Sequence, residues 1–351
     1  MKFARRCVRE MQPYQPGYQP PRVDGVIKLN TNENPYPPSP RVLEALRQHV
    51  DGRLRLYPDP EWRELRATAS RVYGIGPEYI FFGNGSDEIL ALLFRAFVER
   101  EELTAFPYPT YSLYRTLAEA NGNPYRLVET GEGFEVILDG FLEVPAKMVL
   151  LANPNSPTGL DLPPSAIESF VARYPGLVVV DEAYVDFGAE SCLELVRRYR
   201  NLVVLRTLSK SFSLCGMRVG YCFADPELVA ALMKVKDSYN INVLSQVAGK
   251  MALEDYQYMV ERAREIARTR DGVKEGLERL GFLVFPSRAN FLFMKHGTVP
   301  AREIFESLAA AGIYVRYFPE RRLLDYLRVT IGTPQEMDVF LEQVSNVVGR
   351  R

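Results

Sequence analysis

The chain has 351 residues, 47% of them hydrophobic, and sets 43 Lys and Arg against 44 Asp and Glu for a formal charge of -1. That length can bury a large core and suggests two domains, while the balanced charge gives no field to draw nucleic acid or an anionic membrane, so the expected partners are small molecules or a second copy of the chain. No apolar run approaches the roughly 20 residues of a bilayer span, and the basic N-terminus lacks an apolar signal core, which points to the cytoplasm.

Residues 1–40 are rich in Pro, Tyr and Asn, running MQPYQPGYQPP and then LNTNENPYPPSP. So many prolines exclude a regular helix or a central strand, and the segment reads as an extended arm lying across the rest of the molecule. Ser39 and Pro40 open a helix to about Val50, as N-cap and first-turn proline. The turn LRLYPDP then carries Tyr57, and residues 61–73 read as a second helix. Next come Ile80, Phe81 and Phe82, the turn Gly83-Asn84-Gly85-Ser86-Asp87-Glu88, and the apolar ILALLFRAF: strand, glycine turn, helix. Free N–H groups and the positive end of a helix dipole at such a turn suit a phosphate. The turn lacks the third glycine of a dinucleotide fingerprint and is no Walker A loop. Asp87 also suits a helix N-cap, a role compatible with leaving other N–H groups free.

Four apolar runs follow, and each ends in polar residues. Leu103–Phe106 runs into PYPTYSLY, and Met148–Ala152 into Asn153-Pro154-Asn155-Ser156-Pro157-Thr158-Gly159. Leu177–Val180 runs into Asp181-Glu182-Ala183-Tyr184, and Leu202–Leu205 into Thr207, Ser209, Lys210 and Ser211, with Arg218 eight residues after the lysine. In a parallel sheet these C-terminal ends share one edge, where open α/β sheets bind ligands. An aspartate closing a buried valine run is costly to desolvate without a partner. Helical spacing follows from Pro226 to about Asn240, and a long charged helix from about 253 to 280 that can bridge two domains. After Gly281 the pattern alternates (FLVFPSRANFLFMK), then gives a helix at 301–311, IYVRYF, YLRVTIGT and a terminal helix from about Pro334. The expected fold class is α/β, a three-layer large domain on a mostly parallel sheet plus a smaller α+β domain. Its divisions are an arm at 1–40, a large domain at 41–265 and a small one at 266–351, the last joined by part of the N-terminal segment.

The four cysteines form no CxxC and no histidine-paired spacing, so neither a zinc site nor a disulfide framework is indicated. The two histidines, His49 and His296, lie near no serine or cysteine nucleophile motif, which leaves acid–base work to another group. A lysine, a strand-end aspartate, a tyrosine three residues later and a glycine turn at a helix start together fit a pyridoxal phosphate site. The lysine would hold the cofactor aldehyde as a Schiff base, the aspartate would pair with the protonated pyridine nitrogen, and the turn would hold the phosphate.

The strings LNTNENP, YPDP, GNGSDE, PTYSLY, NPNSPTG, DEAYVDF, TLSKSFSLCGMRVGY and YLRVTIGT, in this order, cover nearly the whole chain and resemble the histidinol-phosphate aminotransferases of the fold-type I pyridoxal-phosphate superfamily. The resemblance implies that Lys210 is the Schiff-base lysine, Asp181 the partner of the pyridine nitrogen and Tyr184 a donor to the cofactor's phenolic oxygen. It makes Ser209, Arg218 and the backbone at Gly85 and Ser86 ligands of the phosphate, places Asp87 among the cofactor-binding residues, and makes Tyr111 the ring stacked on the cofactor. Tyr57 would reach the phosphate of the neighbouring subunit's cofactor, making a homodimer obligatory. Where relatives carry asparagine before Pro-Thr-Gly this chain has Ser156; Asn155 is taken as the residue meeting the cofactor oxygen, with Asn153 and Ser156 as alternatives. Arg328, Arg316 and Tyr14 would choose the substrates, histidinol phosphate and glutamate/2-oxoglutarate sharing one anion pocket. After transaldimination Lys210 would serve as the base, so that no histidine is needed. Two rival activities share the lysine and aspartate: an aromatic amino-acid aminotransferase, and a lyase resembling threonine-phosphate decarboxylase.

Overall fold

A computed structural model describes residues 2–21, 23 and 25–349. Its centre is a seven-stranded sheet in the order Ile80–Asn84, Val219–Ala224, Leu202–Thr207, Leu177–Asp181, Met148–Ala152, Thr104–Tyr108, Tyr125–Glu129. All pairings are parallel except those of Val219–Ala224, which runs antiparallel to both neighbours. Every residue of Met148–Ala152, Leu177–Asp181, Leu202–Thr207 and Val219–Ala224 is buried. Both faces are therefore covered, which is what continuous valine and leucine runs require.

The parallel direction brings the C-terminal ends of the strands Ile80–Asn84, Met148–Ala152, Leu177–Asp181 and Leu202–Thr207 to one edge, as their polar endings predict. The antiparallel strand Val219–Ala224 has no counterpart in the sequence reading, because RVGYCFA is short and carries a glycine. It returns directly from the Lys210 turn, with the Leu208 amide bonded to the Val219 carbonyl at 2.9 Å. It also sets Gly220 opposite Gly83. There a glycine is needed, since a Cβ on Gly220 would collide with the Ser86 amide nitrogen. The half-polar edge strand Tyr125–Glu129 was also not expected; its outer side lacks the apolar run that marks the central strands.

The charged segment near 253–280 forms one 24-residue helix, Tyr256–Arg279, preceded across Asp255 by a separate helix, Val243–Glu254. Beyond it lies an antiparallel sheet in the order Arg316–Tyr317, Leu327–Thr330, Phe291–His296, Phe282–Val284. Ile27–Lys28 pairs in parallel with Ile313–Tyr314, tying the N-terminal segment to the C-terminal one. The last helix, Pro334–Val348, opens with a reciprocal capping box between Thr333 and Glu336. No helix among the described residues is long and apolar enough to cross a membrane.

Candidate active site

A cavity of about 670 Å³ opens at the sheet edge, walled by the arm, the segment 30–32, the glycine turn, the Lys210 loop and the C-terminal sheet. Asp181, Tyr184, Ser209, Lys210, Arg218, Ser86, Asp87, Tyr111, Tyr14, Arg316 and Arg328 all line it. Residues spread over more than three hundred positions thus meet at one place.

One end gathers a helix start and a guanidinium. Gly85 takes φ +81° as the N-cap of the helix Ser86–Phe97, leaving the first-turn N–H groups without intrahelical partners. Asp87 lies one residue inside that helix, so it does not cap it; its carboxylate instead accepts from Arg218 Nη2 at 3.0 Å and from the Tyr111 hydroxyl at 3.3 Å. Arg218 itself adopts φ +52°, a costly left-handed conformation that aims its guanidinium at Gly85, where a Cβ would strike it. Ser209 completes this end, its hydroxyl accepting from Thr207 Oγ1 at 2.9 Å.

The middle holds the strand-end groups. Asp181 is 5% exposed; burial pushes its pKa up to about 6, against hydrogen bonds from the Tyr114 hydroxyl and the Ala183 amide. Among the described residues no cation lies within ion-pair distance of it. A buried carboxylate in that position favours a positively charged partner. Lys210 Nζ sits 5.9 Å over the Tyr184 ring and donates to the Thr31 carbonyl at 3.2 Å. The Tyr184 hydroxyl accepts from Asn32 Nδ2 at 2.9 Å, and its ring meets Phe291 edge-on.

The far end pairs two arginines. Arg316 and Arg328 are direct cross-strand partners, so their side chains leave the same face of the sheet. Arg328 is 9% exposed; its terminal nitrogens donate to Ser156 Oγ at 3.0 Å and the Asn30 carbonyl at 3.1 Å, while its Nε has no partner among the described residues. Burial lowers its pKa, and the charge of Arg316 adds to this. Arg316 donates to the carbonyls of Pro16 and Gln15 at 3.2 and 3.1 Å, which lays the arm along the cavity and brings Tyr14 edge-on to Tyr111, 6.1 Å between centroids.

Two of the expected site residues stand apart. The amide of Asn155 is spent on Pro109, Thr158 and Thr110, and that of Asn153 on the backbone of Leu162; of this trio Ser156 reaches the cavity wall. Tyr57 is 79% exposed and stacks on Tyr239 at 4.3 Å, outside its own cavity.

The sequence profile of the family "Aminotransferase class I and II" matches residues 24–344. The chain is 45% identical to the histidinol-phosphate aminotransferase of Citrifermentans bemidjiense, covering 95% of each protein. It is 41% identical to that of Acetobacter pasteurianus over 99% of this chain and 98% of the relative. The chain belongs to the histidinol-phosphate aminotransferases. Among solved structures, the histidinol-phosphate aminotransferase of Sinorhizobium meliloti, in complex with pyridoxal-5'-phosphate, superposes with a TM-score of 0.87 at 28% identity, covering 92% of this chain and 91% of that one. The L-threonine-O-3-phosphate decarboxylase of Porphyromonas gingivalis superposes with a TM-score of 0.82 at 20% identity, covering 92% and 100%, a likeness of fold alone.

Several groups at the site escaped the sequence reading. Asn32 and Asn34 sit at alternate positions of LNTNENP, and Asn34 Nδ2 donates to the Lys210 and Ser211 carbonyls at 2.9 and 3.1 Å. Asn30, Asn32 and Asn34 recur with period two, a pattern that reads locally as one polar face of an extended segment, but Asn32 takes φ +56° and turns the chain there. Arg206, Glu182 and Asp186 form a buried cluster behind the strand ends, and Tyr114 donates to Asp181.

Proposed function

We propose that the chain is a pyridoxal-phosphate-dependent transaminase that moves the amino group of histidinol phosphate to 2-oxoglutarate, yielding imidazole-acetol phosphate and glutamate in histidine biosynthesis. The observation that carries this reading is the paired Arg316 and Arg328, the latter buried with an orphaned Nε, on the wall that also holds Lys210 and Asp181. Two facing guanidinium groups repel unless an anion joins them, and a guanidinium clamps phosphate or carboxylate through paired bonds. One pocket can therefore seat the phosphate of one substrate and a carboxylate of the other.

The residues fit the cofactor. Among the described residues Asp181 has no ion-pair cation, and at the helix start Gly85 and Gly220 allow the Arg218 guanidinium and the Ser86 amide to approach where a Cβ would clash, beside first-turn N–H groups left free for an anion. The turn at Gly85 and Ser86 with Ser209 and Arg218 would hold the phosphate end, Asp87 would steady the Arg218 guanidinium beside it, Tyr111 would take the ring face, and Tyr184 the phenolic oxygen. When bound, pyridoxal phosphate supplies an aldehyde that receives the amino group and a protonated ring that draws electron density from the substrate carbon. Asp181 keeps the proton on the ring nitrogen, since a carboxylate at contact distance favours the charged form. Lys210 Nζ would anchor the cofactor and, as a neutral amine, would hold the proton that leaves the substrate carbon. Asn32 fixes the Tyr184 hydroxyl, and the arm, held by Arg316 with Tyr14 against Tyr111, shuts water out.

We read the working enzyme as a cytoplasmic homodimer in which Tyr57 serves the neighbouring site. Its exposure and its distance from its own cavity support this. The division into an arm at 1–40, a large domain at 41–265 and a small one at 266–351 is part of the same reading, the N-terminal strand pairing with the C-terminal module. The test is glutamate formation by purified protein from histidinol phosphate and 2-oxoglutarate. Turnover of phenylalanine without histidinol phosphate would instead make it an aromatic aminotransferase, and release of carbon dioxide from a phosphorylated amino acid would make it a lyase.

A further inference from the structure

Tyr114 lies on the helix Leu113–Asn121 and is among the largest side chains with no exposure at all. Its ring is pinned edge-on between Phe106, at 6.0 Å, and Tyr111, at 5.6 Å. Its hydroxyl donates to Asp181 Oδ2 at 2.9 Å, and the Ala183 amide donates to Oδ1 of the same carboxylate at 3.1 Å. A buried phenol needs a partner, and any carbonyl would satisfy it. Here the partner is an ion, which makes the bond charge-assisted. With one donor on each oxygen, rotation of the carboxylate about its Cβ–Cγ bond would break both contacts. Each contact also favours the charged form, whereas burial and the nearby Asp87 and Glu182 disfavour it. Those two carboxylates are compensated elsewhere, by Arg218 and Arg206, and Tyr114 is the side chain that acts on Asp181 itself.

We infer that Tyr114 is a positioning residue of the cofactor site: its hydroxyl sets the plane of the Asp181 carboxylate and stabilises its charge, so that this group is already aimed when a ring nitrogen arrives. The inference rests on reading the cavity as a pyridoxal phosphate site. Tyr111 and Tyr114, one helical turn apart in PTYSLY, divide the labour, the first facing the cavity and the second facing the aspartate.

The experiment reconstitutes wild-type, Tyr114→Phe and Ala118→Gly apoproteins with pyridoxal phosphate labelled with ¹⁵N in the ring. For Tyr114→Phe the cofactor Kd rises about tenfold, the scale of one lost hydrogen bond to a charged group. Its ring-nitrogen resonance moves toward the unprotonated position and kcat falls, while KM for both substrates stays within about twofold of wild type. Ala118→Gly weakens the same helix without touching Asp181; it lowers the melting temperature and leaves the nitrogen resonance in place. A 3,5-difluorotyrosine at position 114, a stronger donor of nearly the same shape, moves the ring-nitrogen resonance in the opposite direction to Tyr114→Phe at a fixed pH below the fluorinated phenol's own ionisation, and decides the matter even if the phenylalanine variant does not fold. Wild-type Kd and resonance in Tyr114→Phe, or no response to the fluorinated residue, would show the phenol to be packing only. Failure of wild-type protein to bind pyridoxal phosphate would overturn the functional reading, and this inference with it.

Discussion

Arg206 and Glu182 form an ion pair at 3.0 Å with side chains 7% and 0% exposed, just behind the strand ends that carry Lys210 and Asp181. Arg206 also reaches Asp186 at 3.4 Å, and Asp186 accepts from the Ser211 hydroxyl at 2.5 Å. Burial works against the arginine's charge, but Glu182 and Asp186 outweigh it and hold the guanidinium well above its ordinary pKa. The cluster ties the turn after Asp181 to the turn bearing Lys210, so its integrity sets how the two groups face each other.

Removing one member leaves a bare buried charge. Arg206→Met is expected to destabilise the protein by about 3 kcal/mol, and adding Glu182→Met to restore part of that loss, because a missing pair costs less than a broken one. Urea unfolding of the single and double variants checks this. An Arg206→Met protein with the wild-type midpoint would deny the cluster its structural role.

Asp181 gives a prediction with an unusual sign. Its folded pKa of about 6 lies above the ordinary 3.8, so the native apoprotein binds more protons than the unfolded chain between those values. Stability from this group is then fully present below about pH 4 and lost as pH rises through about 6, a swing of about 3 kcal/mol at 1.36 kcal/mol per unit. Asp181→Asn should therefore make the apoprotein more heat-stable at pH 7, have little effect at pH 4, and abolish productive cofactor binding. Melting curves of both apoproteins across that range would reveal an opposite or flat dependence.

Arg328→Lys keeps the charge but loses the fork. With no second nitrogen to share between Ser156 and a bound anion, kcat/KM should fall about tenfold or more for both histidinol phosphate and 2-oxoglutarate. Steady-state kinetics on each substrate decides it; a loss confined to one of them would mean that the two anions do not share the pocket.

Subunit mixing tests Tyr57 and Lys210 together. Lys210→Ala should lower turnover by about 1000-fold, within the range for a lost acid–base group, and Tyr57→Ala should weaken the cofactor hold. If Tyr57 serves the partner's site, a mixed dimer of the two contains one intact site. Random reassociation then restores about a quarter of wild-type activity, since half the dimers are mixed and each has one good site of two. A mixture no more active than its components would return Tyr57 to a surface role.

The sheet edge was legible because apolar runs ending in Asn, Asp-Glu-Ala-Tyr and Ser-Lys are local signals, and a parallel sheet converts them into neighbours. What the sequence hid depends on pairing between distant segments. Val219–Ala224 lacks a long apolar run, and its antiparallel course shows only once Gly220 is seen against Gly83 and Ser86. Arg316 and Arg328 are recognisable singly, but their facing register belongs to the sheet. Tyr114 stood in a motif already singled out for Tyr111; nothing local tells that the second tyrosine turns inward to a carboxylate 67 residues away. Asn155 and Ser156 are adjacent, and only the fold shows that the Asn155 amide is taken up by the Pro109 carbonyl and the Thr110 and Thr158 hydroxyls.

The arm is gripped by its main chain. Arg316 takes hold of the carbonyl oxygens of Gln15 and Pro16, and Asn30 Nδ2 donates to the carbonyl of Tyr18 at 2.7 Å. The ring contacts of Tyr14 and Tyr18 aside, such a clasp does not read side-chain identity. The side chains at positions 15 and 16 can thus be rewritten while the path is kept, but the next position cannot: at Gly17 a Cβ would lie 2.5 Å from Thr31 Cγ2, so a grafted arm must bring its own glycine to that crossing.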